Sequence, residues 1–223
     1  MFRKISKKAQ ELAIKPLILW YLKKERRFVF KDLKMIVFPG VFHPLLFHST
    51  LILVNEIKKM DLRNKTFLEP GCGSGLVSLM AAKSGAHVTS LDINRLAIEN
   101  TVQNAKFNKL DLKIILSDLF ENLPIQKFDY IFINPPYYPV NPKNESEMAW
   151  FCGQNFEYFT KLFQQLTNYY DSNSKVVMIL SEDCNIPRIK AIAKEHDQKL
   201  ELLETKHSIL EKNFLFQIIQ AAD

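Results

Sequence analysis

In Phe128-Asp-Tyr-Ile-Phe-Ile-Asn-Pro-Pro-Tyr137 an amide side chain, two prolines and a phenol ring follow directly on an apolar run. The run, 128–133, is rich in β-branched and aromatic residues and reads as a strand covered on both faces. Neither proline donates a backbone N–H and each fixes φ, so the strand stops at Asn134 and leaves a stiff turn at its carboxyl end. Such a turn suits chemistry on a planar, weakly nucleophilic nitrogen. The Asn134 side-chain oxygen and the Pro135 carbonyl could accept its two N–H protons, fix its orientation and favour the charge that develops on alkylation, with Tyr137 stacked on the planar group. The same residues also suit a plain strand end, because Asn-Pro initiates turns and Pro-Pro terminates strands.

A second cluster lies earlier in the chain. Gly71-Cys-Gly-Ser-Gly75 separates a short apolar run from a helical pattern. Glycines in such a turn let the backbone approach a ligand, and the helix N-terminus offers free N–H groups. Leu76 stands where a dinucleotide fingerprint has its third glycine, which argues against a nicotinamide cofactor. Carboxylates punctuate three successive strand ends, at Glu69, Asp92 and Asp118. Asp92 lies 21 residues after Gly71, where a carboxylate can accept from both ribose hydroxyls. Asp118 could receive an adenine amino group, and Glu69 an ammonium. Each acid alone reads as a helix cap or a solvated turn. Their joint placement fits an adenosine lying along the strand ends.

The elements that must position these groups alternate. Strands are expected at 65–69, 86–91, 112–116, 128–133, 175–180, 200–204 and 214–219. Helices are expected at 49–60, from the glycine turn to 83, and at 95–107, 156–170 and 186–196. This is the pattern of an α/β fold with a doubly wound, mainly parallel sheet. The last two strands have no helix between them and must be antiparallel to each other. Ahead of this domain, 48–223, stands an extension, 1–47. It holds a basic helix over 7–24, with Leu12, Leu19 and Leu22 on one stripe and a kink at Pro16, then a hairpin pairing 28–30 with 35–38.

Composition narrows the classes. The chain has 223 residues, 47% hydrophobic and 24% charged, which suits one globular domain with a short extension. No apolar run approaches the roughly 20 residues of a membrane span, and the charged start Met-Phe-Arg-Lys is no secretory signal. Three scattered cysteines, Cys72, Cys152 and Cys184, point to a reducing cytoplasm and away from disulfides or zinc, and no metal is expected. The net charge of +6 is concentrated at the front, where residues 1–34 hold eleven Lys/Arg against three Asp/Glu. Such an arm could meet nucleic-acid phosphates, although charge runs are more often solvated faces.

Together, Phe67-Leu-Glu-Pro-Gly-Cys-Gly-Ser-Gly75, Leu91-Asp92, Ser117-Asp-Leu-Phe120 and Asn134-Pro-Pro-Tyr137 resemble the class I S-adenosylmethionine-dependent methyltransferases. Within that class the resemblance is to release-factor glutamine methyltransferases and to enzymes that modify exocyclic amines of adenine or guanine. It implies a seven-stranded Rossmann-like sheet with an antiparallel last strand, S-adenosylmethionine as cofactor and S-adenosylhomocysteine as product. It also implies that Gly71, Cys72, Gly73 and Gly75 form the cofactor loop, with Glu69 near the amino-acid end. Asp92 with Ile93 would hold the ribose, and Asp118 with Leu119 would flank the adenine. Asn134, also bordering the cofactor, and Pro135 would hold the target nitrogen, with Tyr137 packed on it. The reaction would be an in-line displacement that needs positioning more than a base.

The stretch 39–50 should line the site, with Phe42, His43 and Thr50 as substrate candidates, and Tyr138 and Trp150 as a substrate wall. Each of these equally suits ordinary packing. The acceptor is expected to be a protein glutamine or an RNA exocyclic amine, and the sequence leaves a small molecule open. The short front extension sits uneasily with release factors, and the basic arm favours RNA. DNA is disfavoured for a chain of this size without a target-recognition domain. A catalytically silent cofactor-binding module is the alternative from another class. A cytoplasmic monomer or weak dimer, with no membrane partner, is expected.

Overall fold

A computed structural model describes residues 23–46, 48–207 and 211–221. Of the helix expected over 7–24, residues 7–22, with the leucine stripe and Pro16, lie outside these, as does the charge of residues 1–22, while Lys23 and Lys24 form a turn and bend ahead of the hairpin. The described chain opens with the expected hairpin, β1 (Arg26–Phe30) and β2 (Leu33–Val37), antiparallel around a turn at Lys31 and Asp32. It continues through α1 (His48–Ile57), β3 (Thr66–Pro70), α2 (Leu76–Lys83), β4 (His87–Asp92), α3 (Arg95–Asn108), β5 (Lys113–Leu116) and β6 (Tyr130–Ile133). After a 3-10 turn at Glu145–Ala149 come α4 (Glu157–Leu166), β7 (Lys175–Ser181), α5 (Ile186–Glu195), β8 (Gln198–His207) and β9 (Lys212–Gln220).

Seven strands form one sheet in the order β5-β4-β3-β6-β7-β9-β8. Strands β3 to β7 run parallel, and β9 lies antiparallel between β7 and β8. The doubly wound, mainly parallel sheet with an antiparallel last strand is therefore the observed fold. Alternation along β6 explains its two faces. Ile131 and Ile133 join a core with Phe159, Phe163 and Ile189 of α4 and α5. Phe132, pointing the other way, joins Leu53, Ile57, Leu76 and Leu79 of α1 and α2. Both faces are buried, and so the strand reads as continuous apolar sequence.

Strand β6 starts two residues later than its apolar run. The Phe128 N–H donates to the Tyr169 carbonyl at 3.0 Å and the Asp129 N–H to Thr66 Oγ1 at 2.9 Å, so neither enters the ladder. The Asp129 carboxylate accepts from the Thr66 N–H and hydroxyl, both at 2.8 Å, and these bonds hold its pKa below the usual carboxylate range.

The hairpin is fastened by three asparagines at four-residue spacing on α3. Asn100, Asn104 and Asn108 accept from the backbone N–H groups of Phe38, Ile36 and Lys34 at 2.8–2.9 Å. Their Nδ2 groups return bonds to the carbonyls of Ile36 and Lys34. Each side-chain amide thus stands in for a peptide of a neighbouring strand, and the open edge of β2 is satisfied by a helix. Leu33 and Met35 of β2 complete the seal by entering the same core as Leu53 and Phe67.

Asn104 is fully buried and also donates to the Ser74 carbonyl at 2.9 Å. Asn104→Ala strands the Ile36 N–H and the Ser74 carbonyl in an apolar setting. It is expected to cost about 3 kcal/mol, read as a lowered urea midpoint at unchanged slope.

Candidate active site

The carboxyl ends of β3, β4, β5 and β6 open into one cavity of about 450 Å³. Of the residues singled out in the sequence, Glu69, Gly71, Cys72, Gly73, Asp92, Ile93, Asp118, Leu119, Asn134, Pro135 and Tyr137 line it. Phe42, Thr50 and Trp150 line it as well. Gly75, His43 and Tyr138 lie outside the wall. His43 is buried against Phe28, ring centroids 5.4 Å apart, and burial lowers its pKa. Tyr138 is partly exposed and packs on Tyr137.

The glycine turn is folded back on itself. The Gly71 and Cys72 N–H groups both donate to the Leu91 carbonyl, at 2.7 and 2.9 Å, and the Gly75 N–H donates to the Cys72 carbonyl at 2.8 Å. The Gly73 N–H donates to Asp92 Oδ2 at 2.8 Å. The Ser78 N–H, in the first turn of α2, goes to Glu69 at 2.8 Å. These N–H groups are engaged within the protein and are not offered to a diphosphate. Gly75 is needed for packing. With φ at 81°, a Cβ there would lie 2.7 Å from Thr101 Cγ2.

Glu69 is the buried centre of the charge pattern. Its Oε2 accepts from the backbone and hydroxyl of Ser78, and Ser90 Oγ lies 2.7 Å from Ser78 Oγ behind it. Burial dominates these bonds and pushes the Glu69 pKa up to about 8. Asp92 Oδ1 accepts from the Asn94 N–H at 2.9 Å, which restrains the carboxylate at the cavity wall. Its pKa is raised, mainly by burial, against the pull of its backbone donors. Cys72 is no nucleophile, because burial first and the neighbouring acids second raise its thiol well above its ordinary pKa.

At the far end of the cavity Asp118 has a partner that the sequence did not suggest. Lys161 Nζ, from α4, lies 2.5 Å from Asp118 Oδ2 and 2.6 Å from Glu121 Oε1. Tyr158 of α4, and Glu211 and Asn213 at the start of β9, also complete the wall. These residues carry no motif and reach the site through topology alone. Over the cavity, the Phe42 ring leaving the hairpin meets Trp150 at 5.1 Å. The Trp150 carbonyl accepts from the Tyr137 and Tyr138 N–H groups at 3.2 and 3.0 Å, so the loop is tied to the Pro-Pro turn beneath it.

The model of the family described as methyltransferase small domain matches residues 32–151. A Methanocaldococcus jannaschii protein, provisionally named a protein N5-glutamine methyltransferase, is 40% identical over 112 residues, covering 50% of this chain and 54% of that protein. The release factor glutamine methyltransferase of Aquifex aeolicus is 28% identical over 168 residues, covering 70% of this chain and 58% of that protein. The chain thus spans little more than half the length of these relatives. Among solved structures, a T. thermophilus 16S rRNA N2 G1207 methyltransferase in complex with AdoMet and guanosine superposes with a TM-score of 0.63 at 16% identity. That match covers 86% of this chain and 50% of the other. At that identity the match speaks for the fold.

The buried Glu69 gives a pH prediction. The folded chain keeps its proton up to about pH 8, whereas the unfolded chain releases it near 4.5. Across that window the folded state binds more protons, so this residue's contribution falls as pH rises. Glu69→Gln keeps an acceptor for Ser78 and removes the effect. The Tm of the variant relative to the parent is expected to climb steadily from pH 5 to pH 8. A difference independent of pH would show that Glu69 is ionised in its burial site.

Proposed function

The chain belongs to the methyltransferase small domain family, among the class I S-adenosylmethionine-dependent methyltransferases, and we propose that it methylates a planar amide or exocyclic amine nitrogen. One observation carries this reading. The end of β6 bearing Asn134-Pro135 and the glycine turn after β3 line the same cavity, beside Glu69 and Asp92.

The donor set fits the cofactor. Glu69, pushed towards protonation by burial, recovers a partner when an ammonium group arrives beside it. Asp92 accepts from the Gly73 N–H on Oδ2 and the Asn94 N–H on Oδ1, and the several lone pairs of its two oxygens leave room for a ribose diol. Leu119 and Tyr158 offer apolar surface for a purine, while Asp118 is shared with Lys161. S-adenosylmethionine, when bound, supplies a methyl group on a positively charged sulfur open to in-line displacement.

The chain's own residues do the positioning. Asn134 Oδ1 and the Pro135 carbonyl accept the two N–H protons of the acceptor, which turns its lone pair towards the methyl group. The same oxygens favour positive charge as it grows on that nitrogen. Phe42 and Trp150, meeting above the turn, limit the entry of water. Both glutamine and guanine acceptors named among the relatives and neighbours present such a nitrogen.

Calorimetry with S-adenosylmethionine and transfer of its labelled methyl group to extracts test this reading together. Asp92→Ala should abolish measurable cofactor binding. Asn134→Ala should bind the cofactor as the parent does and transfer about a hundredfold more slowly. Failure of the parent chain to bind S-adenosylmethionine would sink the proposal.

A further inference from the structure

Resting on that placement of the cofactor, one side chain of α4 sets which base the cavity accepts. Lys161 is the one basic residue among the described residues that line it. Its Nζ lies 2.5 Å from Asp118 Oδ2 and 2.6 Å from Glu121 Oε1. An ammonium has three N–H donors, so two go to these carboxylates and the third has no partner among the described residues. Asp118 is the counterpart, with Oδ2 held by Lys161 and Oδ1 bonded by no described residue. The wall therefore presents an open acceptor beside an open donor.

The loop that carries Asp118 is held by the same helix. The Phe120 N–H donates at 3.3 Å to Gln165 Oε1, one turn beyond Lys161. Leu119, between Asp118 and Phe120, lines the cavity with φ at 50°, a left-handed conformation that a leucine seldom adopts. Asp118 follows β5, the outer neighbour of β4 in the order β5-β4-β3-β6. With the ribose on Asp92 at the end of β4, the base extends outwards over β5, and the edge that meets Asp118 is the one remote from the sugar. In adenine that edge carries the 6-amino group, a donor, beside N1, an acceptor.

We infer that Lys161 is a specificity-determining residue of the cofactor site. Asp118 Oδ1 accepts from the 6-amino group, and the third Lys161 proton goes to N1. Hypoxanthine reverses both groups, with an oxygen at position 6 and a proton on N1. It sets that oxygen against the carboxylate and that proton against the ammonium, which leaves polar groups of the site unpaired. Because Asp92 holds the ribose, the base cannot slide along the wall to recover the bonds.

Calorimetry on the whole chain with S-adenosylhomocysteine and its deaminated counterpart, S-inosylhomocysteine, tests this. The parent should bind the adenosine form about a hundredfold more tightly. Lys161→Met should narrow that ratio to about tenfold, chiefly by weakening the adenosine form. Glu121 does not line the cavity, and Glu121→Gln should keep the ratio of the parent. A lysine that only clamped the loop would, on Lys161→Met, lower both affinities alike. An unchanged ratio in that variant therefore overturns the inference, as does a parent that binds both forms equally, and either result leaves the cofactor's placement standing. A parent that binds neither form overturns both.

Discussion

Everything at the site depends on β3 and β6 lying side by side. Their pairing is short, Phe67 with Tyr130 and Leu68 with Ile131, and it marks the point where the chain's winding reverses. From β3 the chain leaves through α2 on one face of the sheet. From β6 it reaches α4 on the other. The two strand ends therefore part instead of being bridged, and a crevice must open between them. The glycine turn and the Asn134-Pro135-Pro136 turn occupy its two lips. Their chemistry converges although 59 residues separate Gly75 from Asn134.

The crevice alone is an open groove, and the asparagine ladder on α3 makes it a cavity. A two-stranded hairpin is marginal by itself, and its outer edge exposes unpaired peptide groups. Asn100, Asn104 and Asn108 take up the β2 edge while α3 follows closely on Asp92 at the end of β4. Asn104 bonds both Ile36 of the hairpin and Ser74 of the glycine turn. The position of Phe42 over Gly73 is thus coupled to the loop below it. A side chain with one donor or one acceptor could not hold both partners, which is why an amide serves here.

The strands of the sheet were legible because both faces are covered and their sequences are unbroken apolar runs. The glycine turn and the acids at the strand ends were legible for a related reason, since each falls where a run stops. What was not legible came from partners far apart in the chain. The ladder's asparagines look like the polar face of α3, and their partners lie 62–74 residues earlier. Lys161 beside Asp118 comes from α4, and Glu211, on the same cavity wall as Tyr137, comes from just ahead of β9, with no local pattern to announce them. Strand ends shifted by one or two residues where a side chain such as Thr66 replaced the ladder. His43 looked like a site residue by its neighbours in sequence, but its ring turns under the hairpin to Phe28.

A last question is why the turn after β6 carries an amide in a cavity otherwise rich in carboxylates. Burial already raises the pKa of Glu69 to about 8 and lifts that of Asp92. A further carboxylate at 134 would share that low-dielectric field and the repulsion of its neighbours, and would be driven towards protonation. Protonated, it would present an O–H donor where the proposed role needs an acceptor. Asn134 and the Pro135 carbonyl accept at any pH, and neither adds charge to desolvate. Pro135 and Pro136 complete the arrangement by lacking N–H groups, so no donor on the turn itself competes for those oxygens. The neutral turn thus keeps its polarity fixed while the acids around it titrate, which suits the orienting role proposed for it.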